Sequence, residues 1–405
     1  MKYQPSQKIL EKYADVLVNF ALGSGQGIKK GEVVELVVWE AAKPFYIELR
    51  KAILKSGGHI ISRYQPDDDQ DYNPSRDFYE LASSEQLRFL PGKYLRGLVR
   101  QVDHSIIILS ETNKLALEGI DPKKIMTVAQ AIKPYRDWLQ EKENKGKYTW
   151  TIAAYATHEM AKHADLTLKE YWQQLIKGCY LNETDPVKEW QKVYQQISHY
   201  QQRLNSLSIE KIHAEGVGID LWLTLGKKRR WMGGSGRNVP SFEIFTSPDW
   251  RGTEGKISFN QPLYRNEHLI TGIELEFKKG KIVKYKARRN QKYLQEMIRV
   301  PGADRVGEFS LTDTRFSRIT KFMAETLFDE NMGGKEGNTH IALGMAFPDC
   351  YNGNPNQVSK KEWRKLGFND SAIHADIIST DRRRVTAYLK NGTKKVIYRE
   401  GKFVI

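Results

Sequence analysis

Residues 33–63 constrain the fold more than any other stretch. Val33-Val34-Glu35-Leu36-Val37-Val38 is a β-branched run, and Pro44 to Leu54 carries apolar residues at helical spacing until Gly57-Gly58 stops it. His59 to Arg63 then reads as a second strand. Strand, helix, strand in that order needs a right-handed crossover, so the two strands lie parallel in one sheet. Before them, Ser6 to Leu22 places Ile9, Leu10, Tyr13, Val16, Leu17 and Phe20 on one helical face. After them come a buried strand at Ile106 to Leu109 and helical patterns from Ile125 to Lys142 and Leu168 to Leu207, which cover the sheet and bridge the two halves of the chain.

The pattern changes near Gly216. From Ile219 onward short strand signals dominate: Asp220 to Leu225, Lys256 to Phe259, Ile273 to Phe277, Lys281 to Tyr285, Gly307 to Leu311, His340 to Ala346 and Ile373 to Ser379. Val385 to Leu389 and Lys395 to Tyr398 flank Asn391-Gly392, a strong hairpin turn. One helix is expected from Ser317 to Ala324. The fold class is therefore α/β: an N-terminal α/β domain with a mostly parallel sheet, residues 1–210, and a β-rich α+β C-terminal domain, residues 211–405. A chain of 405 residues with 40% hydrophobic residues has material for two such cores.

Several function classes fall away on residue content. No run of eighteen or more apolar residues is present, and Met1-Lys2-Tyr3-Gln4-Pro5 lacks the apolar core of a signal peptide, so a cytoplasmic protein with no membrane partner is expected. Two cysteines, Cys179 and Cys350, make neither a disulfide framework nor a CxxC pair, and a reducing compartment is the simpler setting. The net charge of +15 invites nucleic acid, but Lys227 to Arg230, Lys284 to Arg289 and Arg382 to Arg384 are scattered beside strands and form no stripe, which weighs against that partner. Gly23-Ser24-Gly25-Gln26-Gly27 precedes a strand, the wrong order for a phosphate loop, and reads as a turn. Asp67-Asp68-Asp69 lacks the glycine and closing glutamate of a calcium loop and reads as a solvated acidic loop.

Chemistry concentrates in the second half. Glu243 lies inside an apolar run between Pro240 and Pro248, and Glu308 repeats the theme in Val306-Gly307-Glu308-Phe309. A buried carboxylate must meet a cation or strong donors, so each is either a paired structural acid or a ligand. His374 and Asp376 are two apart, so on a strand they share a face. His340 opens a strand out of a loop holding Gly333, Gly334 and Gly337, and by itself it is equally a hydrogen-bonded structural histidine. Jointly, three carboxylates and two imidazoles are what a dinuclear hydrolytic site needs, with Zn²⁺, Co²⁺ or Mn²⁺ as the fitting ions.

Four ordered segments carry a resemblance: Val239 to Pro248, Gly307-Glu308, Thr326 to Gly344 with Leu327-Phe328-Asp329-Glu330-Asn331 and His340, and Asn369 to Asp376. They are similar to the successive motifs of the thermophilic aminopeptidase family of metallopeptidases, the aminopeptidase T and S type. The resemblance implies an exopeptidase acting on short peptides with a free N-terminus, and a homodimer whose N-terminal domains help enclose the site. It implies a centre of two divalent metal ions held by Glu243, Glu308, His340, His374 and Asp376, with Glu243 or Glu308 also moving protons. One departure stands out. Where the family has a tyrosine seven residues after the histidine, this chain has Phe347, which can neither ligate nor donate. Tyr351 nearby is the candidate to supply that role, and a catalytically impaired, peptide-binding relative is the alternative outcome. Arg251 and Arg315 are weighed as oxyanion partners against plain surface roles.

Overall fold

The computed structural model describes residues 3–68, 72–234 and 236–405, so Met1, Lys2 and Asp69 lie outside the described residues. Four strands, β1 (Val33–Trp39), β2 (His59–Gln65), β3 (His104–Leu109) and β4 (Thr149–Ala154), form a parallel sheet in the order β2-β1-β3-β4. The middle of β1 is buried throughout, as expected of a β-branched strand with helices against both faces. Pro44 begins the crossover helix Lys43–Lys55, where its missing N–H costs nothing. The long helical patterns each divide at a proline: Pro122–Ala131 and Lys133–Asn144 in one case, Leu168–Gly178 and Pro186–Ser206 in the other. Gly23, Ser24, Gly25 and Gly27 all take positive φ in a turn. Asp67 and Asp68 accept from Ala41 N at 2.7 Å and Ser75 N at 3.0 Å, roles in chain geometry.

Past residue 208 strands follow one another: β5 (Ile209–Gly216), β6 (Ile219–Thr224), β7 (Met232–Gly233), β8 (Glu243–Thr246), β9 (Asp249–Ser258), β10 (Leu263–Arg265) and β11 (His268–Ile270). They continue as β12 (Glu274–Lys278), β13 (Lys281–Lys286), β14 (Val306–Thr312), β15 (Asn338–Gly344), β16 (His374–Ser379), β17 (Arg383–Leu389), β18 (Lys394–Arg399) and β19 (Lys402–Phe403). Two large antiparallel sheets result, ordered β13-β12-β9-β6-β5-β17-β18-β19 and β16-β15-β14-β8-β7, with β10-β11 as a separate hairpin.

The helix expected over Ser317–Ala324 is absent. Its backbone and side chains are bound elsewhere: Ser317 Oγ donates to Asn331 O at 2.5 Å, Thr320 N to Gln174 Oε1 at 3.1 Å, and Phe316 O accepts from Tyr180 at 3.0 Å. These tertiary bonds outweigh the local helical pattern, and the only helical turn there is Thr326–Asp329. The basic runs are likewise absorbed locally. Arg229 packs on Phe368 and donates to Ser247 O and Leu366 O, while Arg384 pairs with Glu215.

One apolar core runs through both halves. Trp190, from the helix Pro186–Ser206, stacks on Phe242 with ring centres 5.3 Å apart, one residue before Glu243. β4 also bonds to the loop leading into β8: Ile152 N donates to Arg237 O at 2.7 Å and Val239 N to Ile152 O at 2.9 Å. The parallel sheet thus fixes the chain that delivers the first acidic residue of the site.

Candidate metal centre

The five-stranded sheet builds the site by register. Thr312 lies opposite Glu243, Ser310 opposite His340, Glu308 opposite Ala342, Asp376 opposite Ala342, and His374 opposite Gly344. Directly opposed residues share a face, and so do residues two apart on a strand. Glu243, Glu308, His340, His374 and Asp376 therefore stand on one face of four adjacent strands. Between them sit Ser310, Ala342 and Gly344, whose small side chains leave room for the large ones to converge. Gly307 allows the close approach of β14 to β15, since a Cβ there would lie 2.3 Å from Met345 O.

The contacts are tight. His340 Nε2 lies 3.2 Å from Glu243 Oε2 and 3.4 Å from Glu308 Oε1. His374 Nε2 lies 3.6 Å from the other oxygen of Glu308 and 3.2 Å from Asp376 Oδ1. Glu308 thus faces both imidazoles, one through each carboxylate oxygen. Ser310 Oγ donates to Glu243 Oε2 at 2.7 Å, and His374 Nδ1 donates to Met345 O at 2.9 Å. That second bond keeps a proton on Nδ1 and turns Nε2 into the site, the orientation of a metal-binding histidine.

A sixth group joins them that sequence reasoning did not select. Glu330, just past the helical turn Thr326–Asp329, puts a carboxylate oxygen within 4.8 Å of donor atoms of His340 and Asp376. Asn238 Nδ2 donates to Glu330 Oε1 at 2.8 Å, and Thr312 Oγ1 donates to Glu330 O at 3.0 Å. The signal was available: an acid in Leu327-Phe328-Asp329-Glu330-Asn331 raises the same burial argument that singled out Glu243.

Electrostatics show how unbalanced the group is by itself. His340 is 1% exposed, Glu308 3% and Glu330 5%. Burial and the nearby Glu243 push the Glu308 carboxyl up to about 7 against the pull of His340. Burial, then Glu243 and Asp376, raise Glu330 well above the carboxylate range. Burial alone would lower His374, but Asp376 and Glu308 raise it to about 9; burial alone would raise Asp376, but His374 holds it at about 2. Four carboxylates and two imidazoles, all oxygen or nitrogen donors and converging in three overlapping triads, fit hard or borderline divalent cations.

Other anticipated residues lie elsewhere. The Phe347 ring packs on His374 with centres 4.7 Å apart, so it walls the site without a polar atom. Tyr351 packs in the same small apolar cluster as Phe347. It is anchored among Trp363 and Phe368, and its hydroxyl accepts from Lys228 Nζ at 3.3 Å, beside a separate surface cavity of about 1250 Å³ that none of the five residues lines. A short helical turn, Pro348–Cys350, separates it from Phe347 along the chain. Arg251 and Arg315 are paired with Asp249 and Asp313.

Comparison with known proteins agrees with this architecture. The chain is 27% identical over 421 residues to Aminopeptidase PepS of Streptococcus thermophilus, covering 98% of each protein. It is 26% identical over 421 residues to Aminopeptidase T of Thermus thermophilus, again covering 98% of each. The solved structure of wild-type AmpT from Thermus thermophilus superposes with a TM-score of 0.81 at 23% sequence identity, over 98% of this chain and 100% of that one, which is a likeness of fold. Residues 6–403 match the thermophilic metalloprotease (M29) family, and the chain belongs to that family.

Proposed function

We propose that the protein is a metal-dependent aminopeptidase that removes N-terminal residues from short peptides, with Glu243, Glu308, His340, His374 and Asp376 holding two divalent cations. The observation that carries the reading is Glu308, whose two carboxylate oxygens face two different histidines. Charge supports the number two. With neutral histidines, the carboxylates of Glu243, Glu308, Glu330 and Asp376 sum to −4, which two divalent cations neutralise, and an uncompensated buried charge of that size is not stable. Zn²⁺, Co²⁺ and Mn²⁺ all suit this donor set.

Cations bound there would make a water nucleophilic at neutral pH and polarise the scissile carbonyl. The chain's own residues do the rest. Ser310 orients Glu243, and Met345 O orients His374, so both ligands are fixed before substrate arrives. Glu243 and Glu308 are committed to the histidines. Glu330 is held by amide donors beside the site, so its carboxylate suits taking the proton from the attacking water and passing it to the leaving amine. Phe347 packs on His374, and Arg237 beside it is paired with Glu143 and Asp349, so the wall on the His374 side is held in place.

The test is release of free amino acid from leucyl arylamide and dipeptides, with and without chelator, alongside elemental analysis. Hydrolysis restored by metal supports the reading. Stoichiometric metal without turnover favours the impaired, peptide-binding alternative that Phe347 raises. We further propose a division near residue 210, supported by the change from parallel to antiparallel pairing at Ile209, and a homodimer, testable by light scattering. A cytoplasmic setting is consistent with Cys179 and Cys350 being buried free thiols. Among the described residues, no helix is long and apolar enough to cross a membrane.

A further inference from the structure

The hairpin β10–β11 is separate from both large sheets and packs against β16, the strand of His374 and Asp376. Its tip residues are Asn266 and Glu267, with φ of 44° and 57°. Positive φ at both central residues is what a two-residue hairpin loop of the I′ type requires, and Asn266 adopts it readily. Here Tyr264 meets His163 Nδ1 at 3.2 Å, His268 Nδ1 donates to Asn266 O at 2.8 Å, and the His268 ring lies 4.5 Å from that of Tyr293.

This braced hairpin presents Arg265. Its Nε is buried without a hydrogen-bond partner, and none of the carboxylates among the described residues forms an ion pair with it. Beside it stands Arg136, from the helix Lys133–Asn144, whose Nη1 donates to Ala372 O at 2.8 Å, two residues before His374. Burial and the neighbouring Arg265 disfavour the Arg136 charge, and Asp137 one residue on favours it. Arg136 also lines a cavity of about 520 Å³ together with Trp39, Tyr79 and Glu267. Neither guanidinium is in an ion pair among the described residues, so both have donors to offer an arriving anion. A guanidinium matches a carboxylate in shape as well as charge.

We propose that Arg265 and Arg136 form the subsite for the C-terminal carboxylate of a short peptide, making the enzyme selective for di- and tripeptides with a free C-terminus. The assignment rests on the aminopeptidase reading and adds to it the far end of the substrate. The experiment compares kcat/KM of the metal-loaded protein for Leu-Gly and Leu-Gly-Gly with that for their C-terminal amides. Each variant is read as its acid-to-amide ratio, so that a general change in rate cancels. Wild type is expected to favour the acids by about ten- to a hundredfold, the size of a charge-assisted hydrogen bond. Arg265→Gln and Arg136→Gln each bring the ratio towards one, and Arg265→Lys restores part of it. Equal kcat/KM for acids and amides in wild type, or an unchanged ratio in both glutamine variants, overturns the subsite and leaves the aminopeptidase reading standing. No cleavage of any of the four peptides overturns both.

Discussion

Glu308→Gln should make the metal-free protein more stable at alkaline pH while abolishing its response to metal. Glu308 is 3% exposed, and burial with Glu243 nearby pushes its carboxyl up to about 7. Its unfolded value is about 4.3. For an acid raised on folding, the protonated form is favoured in the fold, so stability is fully present below about pH 4.3 and is lost as pH rises through about 7. At about 1.36 kcal/mol per unit, the ionised group costs the metal-free fold on the order of 3 kcal/mol at pH 8.5. Glutamine is neutral, nearly isosteric, and keeps an oxygen towards one histidine. Across 405 residues, at about 2.1 cal/mol/K each, 3 kcal/mol corresponds to a Tm rise of about 3–4 °C if unfolding is cooperative. At pH 5 the two metal-free proteins should differ little. Adding metal at 1,000 times Kd would stabilise wild type by about 4 kcal/mol and reverse the order, whereas the variant gains far less. Calorimetry at pH 5 and pH 8.5, with chelator and with metal, reads all four states. A metal-free variant less stable than wild type at pH 8.5, or one with a full metal response and normal turnover, refutes the shared-carboxylate argument.

The remaining expectations concern neighbours of that group. His374 is raised to about 9, so its stabilising effect on the metal-free fold is complete below its unfolded value of about 6.5 and is lost as pH passes 9. A proton held there competes with metal, so metal affinity should rise by up to about tenfold per pH unit below about pH 9 and level off above it, measured by titration calorimetry. Phe347→Tyr places a hydroxyl on a ring already packed on His374, and kcat for leucyl arylamide should rise by about tenfold or more with KM little changed; an unaltered kcat would mean the missing hydroxyl has no role. Arg237→Ala leaves Glu143 and Asp349 unpaired at the seam between the two halves, and should cost about 3–5 kcal/mol in urea unfolding.

Much of this molecule was legible because its signals are local. The β-branched run at Val33 and the glycines at Gly57-Gly58 fix a strand, a helix and a parallel partner whatever lies elsewhere, and β1 and β2 pair as that order requires. His374 and Asp376 share a face because a strand has period two, and register then sets them opposite Gly344 and Ala342. What escaped depends on long-range contacts. The pattern at Ser317–Ala324 is helical in isolation, but Gln174 and Asn331 take its hydrogen-bonding groups from far along the chain. Where the Tyr351 hydroxyl goes is likewise set from elsewhere: its ring packs on Trp363 and its oxygen accepts from Lys228.

Arg265 is the extreme case: an arginine in a short strand carries no sequence mark of function. Its meaning comes from what is missing around it. Arg237, equally basic and closer in sequence to the ligands, is neutralised by two acids and so is accounted for by the fold. Arg265 and Arg136 come from opposite halves of the chain and neither is in an ion pair among the described residues, beside a strand whose own carboxylate is turned towards a histidine. A fold that satisfied its own charges would have paired them or kept them apart. Leaving them adjacent and unpaired transfers the counter-charge to something that arrives, and in a site that cuts peptides from the amino end, the anion left over is the other end.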